Sequence, residues 1–106
     1  MGFFSQVFGG DFKKHLEEAQ ATKGSFIVDV REPNEYANGH IQAALNIPLG
    51  NIESIKGQIP ALDAPIFVYC ASGARSNKAA NWLKQAGYTK VENMGGLMSY
   101  AGPLVH

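Results

Sequence analysis

Apolar positions along this chain change period several times, and each change predicts an element. In DFKKHLEEAQATKG, Phe12, Leu16 and Ala19 share one face at helical spacing, with Asp11 placed to cap the start and Gly24 to end it. SFIVDV is a short run of branched apolar residues, the mark of a strand covered on both faces. REPNEYANGH reads as turn and short helix, AALNIP as a second short strand stopped by Pro48, and Ile52 to Lys56 as one helical turn. APIFVYC is the clearest strand. ARSNKAANWLKQAG is a helix with Ala79, Ala80, Leu83 and Ala86 on one side and Gly87 as its stop, YTKVENM a last strand, and GGLMSYAG a last helical turn or two. Phe3, Phe4, Val7 and Phe8 read as a first strand or a flap over the core.

Strand and helix alternating at this interval predict an α/β fold: right-handed crossovers and a central, mainly parallel sheet of about five strands with helices on both faces. No repeat, low-complexity tract or linker interrupts the pattern, so one domain is expected over residues 1–106. In such a sheet ligands bind beyond the carboxyl ends of the strands. The one cysteine of the chain, Cys70, stands at such an end.

Composition narrows the partner. With 106 residues, 45% of them hydrophobic and 17% charged, the chain has the make-up of one soluble globular domain. Nine basic and nine acidic residues cancel and form no run, so no electrostatic footprint for nucleic acid is expected. No stretch approaches the roughly 20 apolar residues of a membrane span, and the start, MGFFSQVFGG, lacks a basic n-region and misses the myristoylation pattern at Gln6. A cytoplasmic protein acting on a small molecule or another protein is expected, with no membrane partner. A single cysteine forms no intrachain disulfide, which leaves Cys70 either a small buried hydrophobe or a reactive thiol.

The loop that follows favours reactivity. Ala71, Ser72, Gly73 and Ala74 are small, and Gly73 permits a turn that a larger residue would strain. A short loop of this kind at a helix N-terminus can curl its N–H groups into a nest for an anion, with the thiolate at the floor. Arg75 is the cation best placed to lower the thiol pKa and to hold an anionic substrate, the alternative being a structural pairing with Asp29, Glu35 or another nearby carboxylate, and Ser76 adds a hydroxyl where the loop closes.

CASGARS matches the C-x-x-G-x-R-S active loop of rhodanese domains. DVREPNEYANGHIQAALNIP resembles the amino-side motif of that family at Asp29, Val30, Arg31, Glu35, Tyr36, Gly39, His40, Ile41, Ala44, Asn46, Ile47 and Pro48. GYTKVENMGGLMSYAG resembles its carboxyl-side motif at Gly87, Tyr88, Val91, Gly95, Gly96 and Leu97. The likeness runs over about residues 24–102 and implies a rhodanese-like sulfurtransferase. In that family the cysteine, here Cys70, takes sulfane sulfur from thiosulfate or a persulfide donor and passes it to cyanide or to a low-molecular-weight or protein thiol. Residues 71–76 would then cradle the donor, and neither a metal nor another cofactor is expected. The family also implies two alternatives, a binding or regulatory module and a cysteine phosphatase or arsenate reductase of the same fold. The intact loop weighs against the first. The spacing C-x4-R, shorter than the C-x5-R of the phosphatases and arsenate reductases, weighs against the second.

Other polar residues read mainly as structure. Asp29 and Arg31 are expected to form an ion pair or turn hydrogen bonds supporting the loop, His40 a hydrogen-bonded turn, and Glu35 a partner at a helix end or turn. Lys78 is expected in solvent; Trp82, Met94 and Met98 are expected to pack in the core or a groove. Two residues depart from the family pattern: Ala43 stands where a glycine is usual and Tyr100 where tryptophan is frequent. Altered packing, with the chemistry retained, is expected of both.

Overall fold

The structure, a computed structural model, describes residues 10–106. Helix α1 spans Gly10–Ala21, strand β1 Phe26–Asp29, the short helix α2 Pro33–Ala37, and strand β2 Leu45–Asn46. A 3-10 segment, Leu49–Ser54, runs into helix α3, Ile55–Gln58. Strand β3 is Ile66–Cys70, helix α4 Ala74–Gln85 and strand β4 Val91–Gly96; a 3-10 turn at Leu97–Ser99 follows. The first strand or flap expected around Phe3 to Phe8 lies outside the described residues. Among the described residues the sheet therefore has four strands where about five were expected, and no helix is long and apolar enough to cross a membrane.

All pairings in the sheet are parallel and the order is β2-β1-β3-β4. The chain steps from β1 to one neighbour, β2, and then returns to the other side of β1 to lay down β3. That reversal opens a crevice between the carboxyl ends of β1 and β3.

Side-chain parity decides what each strand presents to which layer. Val28, Val30, Ile66, Val68 and Cys70 point to one face, where they pack with Ile52, Ile55, Ile59, Ala79, Ala80 and Leu83. Ile27, Phe67 and Tyr69 point to the other, against Phe12, Leu16, Ala19, Ile41, Ala44 and Met94. The five residues of β3 are all buried, which is why their sequence is a continuous apolar run without alternation. Phe12 meets Tyr69 edge to face with ring centroids 5.6 Å apart, an arrangement worth about 0.5–1.5 kcal/mol beyond area burial. Cys70 shares the parity of Ile66 and Val68, so its thiol lies on the face covered by α4.

Strand β4 carries a bulge. The register passes from Val68 opposite Asn93 to Tyr69 opposite Gly95, so β4 holds one extra residue. Gly95 takes φ 100°, and its N–H donates to Asn93 Oδ1 at 3.0 Å. The bulge turns the backbone of Gly95 and Gly96 against the loop after β3.

At Ala43 the backbone adopts φ 72°, the one left-handed non-glycine residue among those described. This explains the glycine usual at that position. Ala43 is exposed, so the cost is backbone strain alone, about 1–2 kcal/mol. Glycine relieves that strain and raises unfolded-chain entropy, so Ala43→Gly is expected to stabilise by about 0.5–1 kcal/mol, read from chemical denaturation. A lower midpoint in the variant would refute the strain at this turn.

Candidate active site

Cys70 ends β3 and is fully buried. Three residues later Gly73, at φ 104°, reverses the chain and serves as the N-cap of α4. Its N–H donates to Cys70 Sγ at 3.0 Å. The N–H of Ser76, inside the first turn of α4, donates to the same sulfur at 3.3 Å, and Ser76 Oγ lies 3.4 Å from it. A 12-residue helix thus begins directly over the sulfur, its unpaired amides and positive dipole end aimed at the thiol.

Burial pushes the Cys70 thiol up. The hydroxyl and N–H of Ser76 and the N–H groups of Gly73 and Ser72 outweigh that, and the net displacement is below the ordinary thiol value. Ser76 is itself fully buried, with its hydroxyl also 3.1 Å from Gly73 O and 3.5 Å from Gly95 O. With a neutral thiol the hydroxyl donates to a carbonyl; with a thiolate it can turn and donate to sulfur. Ser76→Ala removes that donor and leaves both amides in place. Alkylation of Cys70 near neutral pH is expected to slow roughly tenfold in the variant, the loss of one hydrogen bond to a charged group. The wild-type rate should follow a midpoint below about 8.5, the ordinary thiol value. A wild-type midpoint at or above it would make Cys70 an ordinary buried cysteine.

The remaining loop residues are placed as follows. Ala71 is half-buried, and its carbonyl accepts Met98 N–H at 3.0 Å; Ser72 and Ala74 are exposed. Arg75 turns to α2, where Nη1 donates to Glu35 Oε1 at 2.7 Å and Nη2 to Oε2 at 3.1 Å. Arg75 is a secondary influence on the Cys70 thiol: its guanidinium is engaged by Glu35 while amides and a hydroxyl surround the sulfur, and its attraction to the thiolate contributes to its own raised pKa. Arg75 holds the Glu35 carboxyl down at about 2.

Asp29 and Arg31 form a buried bidentate pair, with Nη2 donating to Asp29 Oδ2 at 2.7 Å and Nε to both carboxylate oxygens at 3.1 Å. Arg31 Nη2 also donates to Gly39 O at 2.7 Å, and Asn46 Nδ2 donates to the carbonyls of Asp29 and Arg31. These bonds lock the segment after β1 and so aim α2, with Glu35, at the Cys70 loop. His40 Nδ1 is 2.8 Å from Tyr36 O and its ring stacks on Tyr36 at 3.6 Å, hydrogen-bonded as expected, although its backbone pairs with Val105 in an isolated antiparallel bridge and not in a turn. Met94 is buried in the core, whereas Met98, expected to pack, is 79% exposed beside the loop.

Sequence reasoning left Glu35, Gly95 and Gly96 out of the site. Glu35 is 40 positions from Arg75, beyond any local spacing. The glycine pair was visible as part of the carboxyl-side motif, but what it lies against was not. A Cβ on Gly96 would fall 2.7 Å from Ser72 Cα and closer still to Ala71 O, so only hydrogen fits there.

A family model described as a rhodanese-like domain matches residues 10–102. The thiosulfate sulfurtransferase PspE of Escherichia coli (strain K12) is 43% identical over 79 residues, covering 74% of this chain and 76% of that protein. The uncharacterized protein YqhL of Bacillus subtilis (strain 168) is 36% identical over 104 residues, covering 94% of this chain and 82% of its own. Among solved structures, a rhodanese with anions from E. coli superposes with a TM-score of 0.71 at 41% identity, covering 76% of this chain and 96% of that one.

Proposed function

The chain belongs to the rhodanese-like domain family, and from that premise we propose that it is a sulfurtransferase carrying sulfane sulfur on Cys70 between a small sulfur donor and a thiophilic acceptor. One observation carries the reading: two backbone N–H groups, at 3.0 and 3.3 Å, converge on a buried sulfur at the mouth of a helix. A thiol kept only for packing has no use for them.

The Cys70 thiolate attacks the outer sulfur of a donor such as thiosulfate. A new S–S bond forms at Cys70, the donor's own S–S bond breaks, and its electron pair leaves with sulfite. The persulfide extends outward from Cys70 into the loop that closes with the first turn of α4, whose N–H groups without intrahelical partners are preorganised donors for charge on the terminal sulfur. Cyanide or a thiolate then attacks that sulfur, forming thiocyanate or a new persulfide and restoring the Cys70 thiolate. The nucleophile enters ionised, so the cycle requires no general base.

Intact mass after incubation with thiosulfate tests the reading. A gain of one sulfur atom, lost on adding cyanide, is expected. A protein that takes up no sulfur from any sulfane donor is a rhodanese-fold binding module.

A further inference from the structure

We propose that Glu35 is a positioning residue that sets which donors Cys70 accepts, by competing with the donor's oxyanion for Arg75. The proposal rests on the sulfurtransferase reading and names the charge class of the preferred donor.

Arg75 does not meet a donor as a free cation. The end edge of its guanidinium is occupied by both oxygens of Glu35, and both side chains are about a third exposed at the mouth of the loop, 35% for Arg75 and 31% for Glu35. The carboxyl is held at about 2, so the pair is fully ionised at any pH near neutrality. Glu35 is also fixed from behind, since Glu32 N–H donates to its Oε1 at 2.9 Å.

Among the described residues no other cation near the loop takes Arg75's place. Arg31 is buried against Asp29. Lys78 is exposed on the side of α4 away from its buried stripe of Ser76, Ala79, Ala80 and Leu83. The Arg75 pKa is raised first by its hydrogen bonds to Glu35 and that carboxylate's charge, then by attraction to the Cys70 thiolate and to Glu32. Residues 47–52 and 97–102, which follow the two outer strands, carry no charge. Among the described residues, attraction for an anion at this mouth therefore comes mainly from the loop amides, and the one cation beside them is already paired. A dianion such as thiosulfate gains full electrostatic benefit only by displacing Glu35 from Arg75, while a monoanionic thiosulfonate, with one charge fewer, needs this less. Both react by the same balanced step: sulfur passes to Cys70, and sulfite or sulfinate leaves with the electron pair.

Glu35→Gln separates the two donors. The glutamine keeps an oxygen for Glu32 N–H and releases the charge of Arg75. With cyanide saturating, the apparent KM for thiosulfate is expected to fall about two- to fivefold, the range of a partly exposed ion pair, with kcat within roughly twofold of wild type. The KM for methanethiosulfonate should change distinctly less. Adding Arg75→Ala to Glu35→Gln should abolish the gain. Glu35→Asp, which keeps the charge but shortens the reach, should shift KM the same way by a smaller amount, and serves if the glutamine variant melts below the assay temperature. A thiosulfate KM unchanged or raised in Glu35→Gln, or equal shifts for both donors, overturns the proposal. If no donor puts sulfur on Cys70 in any of these proteins, the sulfurtransferase reading falls instead.

Discussion

Cys70→Ser is expected to reduce sulfur transfer from thiosulfate to cyanide to the uncatalysed background while leaving the fold intact. The chain has no second cysteine, and no other side chain type it contains forms a sulfane adduct that a nucleophile can reopen. A serine hydroxyl in the same place is not ionised near neutral pH, and an oxygen does not carry a transferable sulfane sulfur. Folding is expected to survive because the substitution is close to isosteric and Gly73 N–H and Ser76 N–H, which now serve the sulfur, can serve the hydroxyl oxygen. Thiocyanate formation, intact mass and a thermal melt on the same preparation make the measurement. Turnover above background in Cys70→Ser would end the proposed mechanism, since sulfur would then be moving without the only group able to hold it.

Gly96→Ala is expected to cause the next largest loss, through space alone. The backbone at Gly96, φ −106° and ψ 134°, is extended and open to any residue, so alanine meets no conformational penalty. Its Cβ, however, would lie 2.7 Å from Ser72 Cα and nearer to Ala71 O. These are backbone atoms and cannot rotate aside. Either β4 or the loop must move, at about 1–3 kcal/mol for an over-packed interior. Movement of the loop carries the Ser72 and Gly73 amides off the sulfur, so alkylation of Cys70 should revert toward the pH dependence of an ordinary thiol, together with a fall in transfer. Gly57→Ala is the control. Nothing lies within 4 Å of a Cβ there, and alanine is the better helix former, so stability should hold or rise. Unchanged melting and alkylation in Gly96→Ala would mean that β4 gives way freely and does not brace the loop.

Those two expectations differ in where they were legible. Cys70, Gly73 and the start of α4 lie within a few residues of one another, and local chemistry constrains them directly: an apolar run ending in a cysteine, small residues, then helical periodicity. The same holds for Phe12, Leu16 and Ala19 on α1, for Gly87, whose φ of 106° directly follows the C-cap of α4, and for Gly24, whose φ of 78° lies in the turn three residues after α1. The rhodanese likeness was legible for the same reason, since its motifs are contiguous. Ala43 stood out as a departure from the family glycine, but its left-handed φ was invisible until the turn was built.

Nothing local links Arg75 to Glu35. The two meet because the β1-to-β2 and β3-to-α4 connections emerge on the same edge of the sheet, and because the buried Asp29–Arg31 pair fixes the direction of α2. Sequence alone favoured Arg75 as a cation facing the thiol and its donor, with a nearby carboxylate as the alternative partner; the fold gave it Glu35 at 2.7 Å. Likewise, the apolar run of β3 named a strand but not its parity, and parity against α4 is what buries the thiol beneath a helix terminus. The bulge in β4 that seats Gly96 under the loop depends on the register between two strands about 20 residues apart in the chain. The sequence by itself determined the elements, the candidate nucleophile and the family, because periodicity and contiguous motifs act over a few residues. Only the tertiary structure decided which charges neutralise one another and which backbone atoms touch, because those depend on the order and register in which distant strands pair.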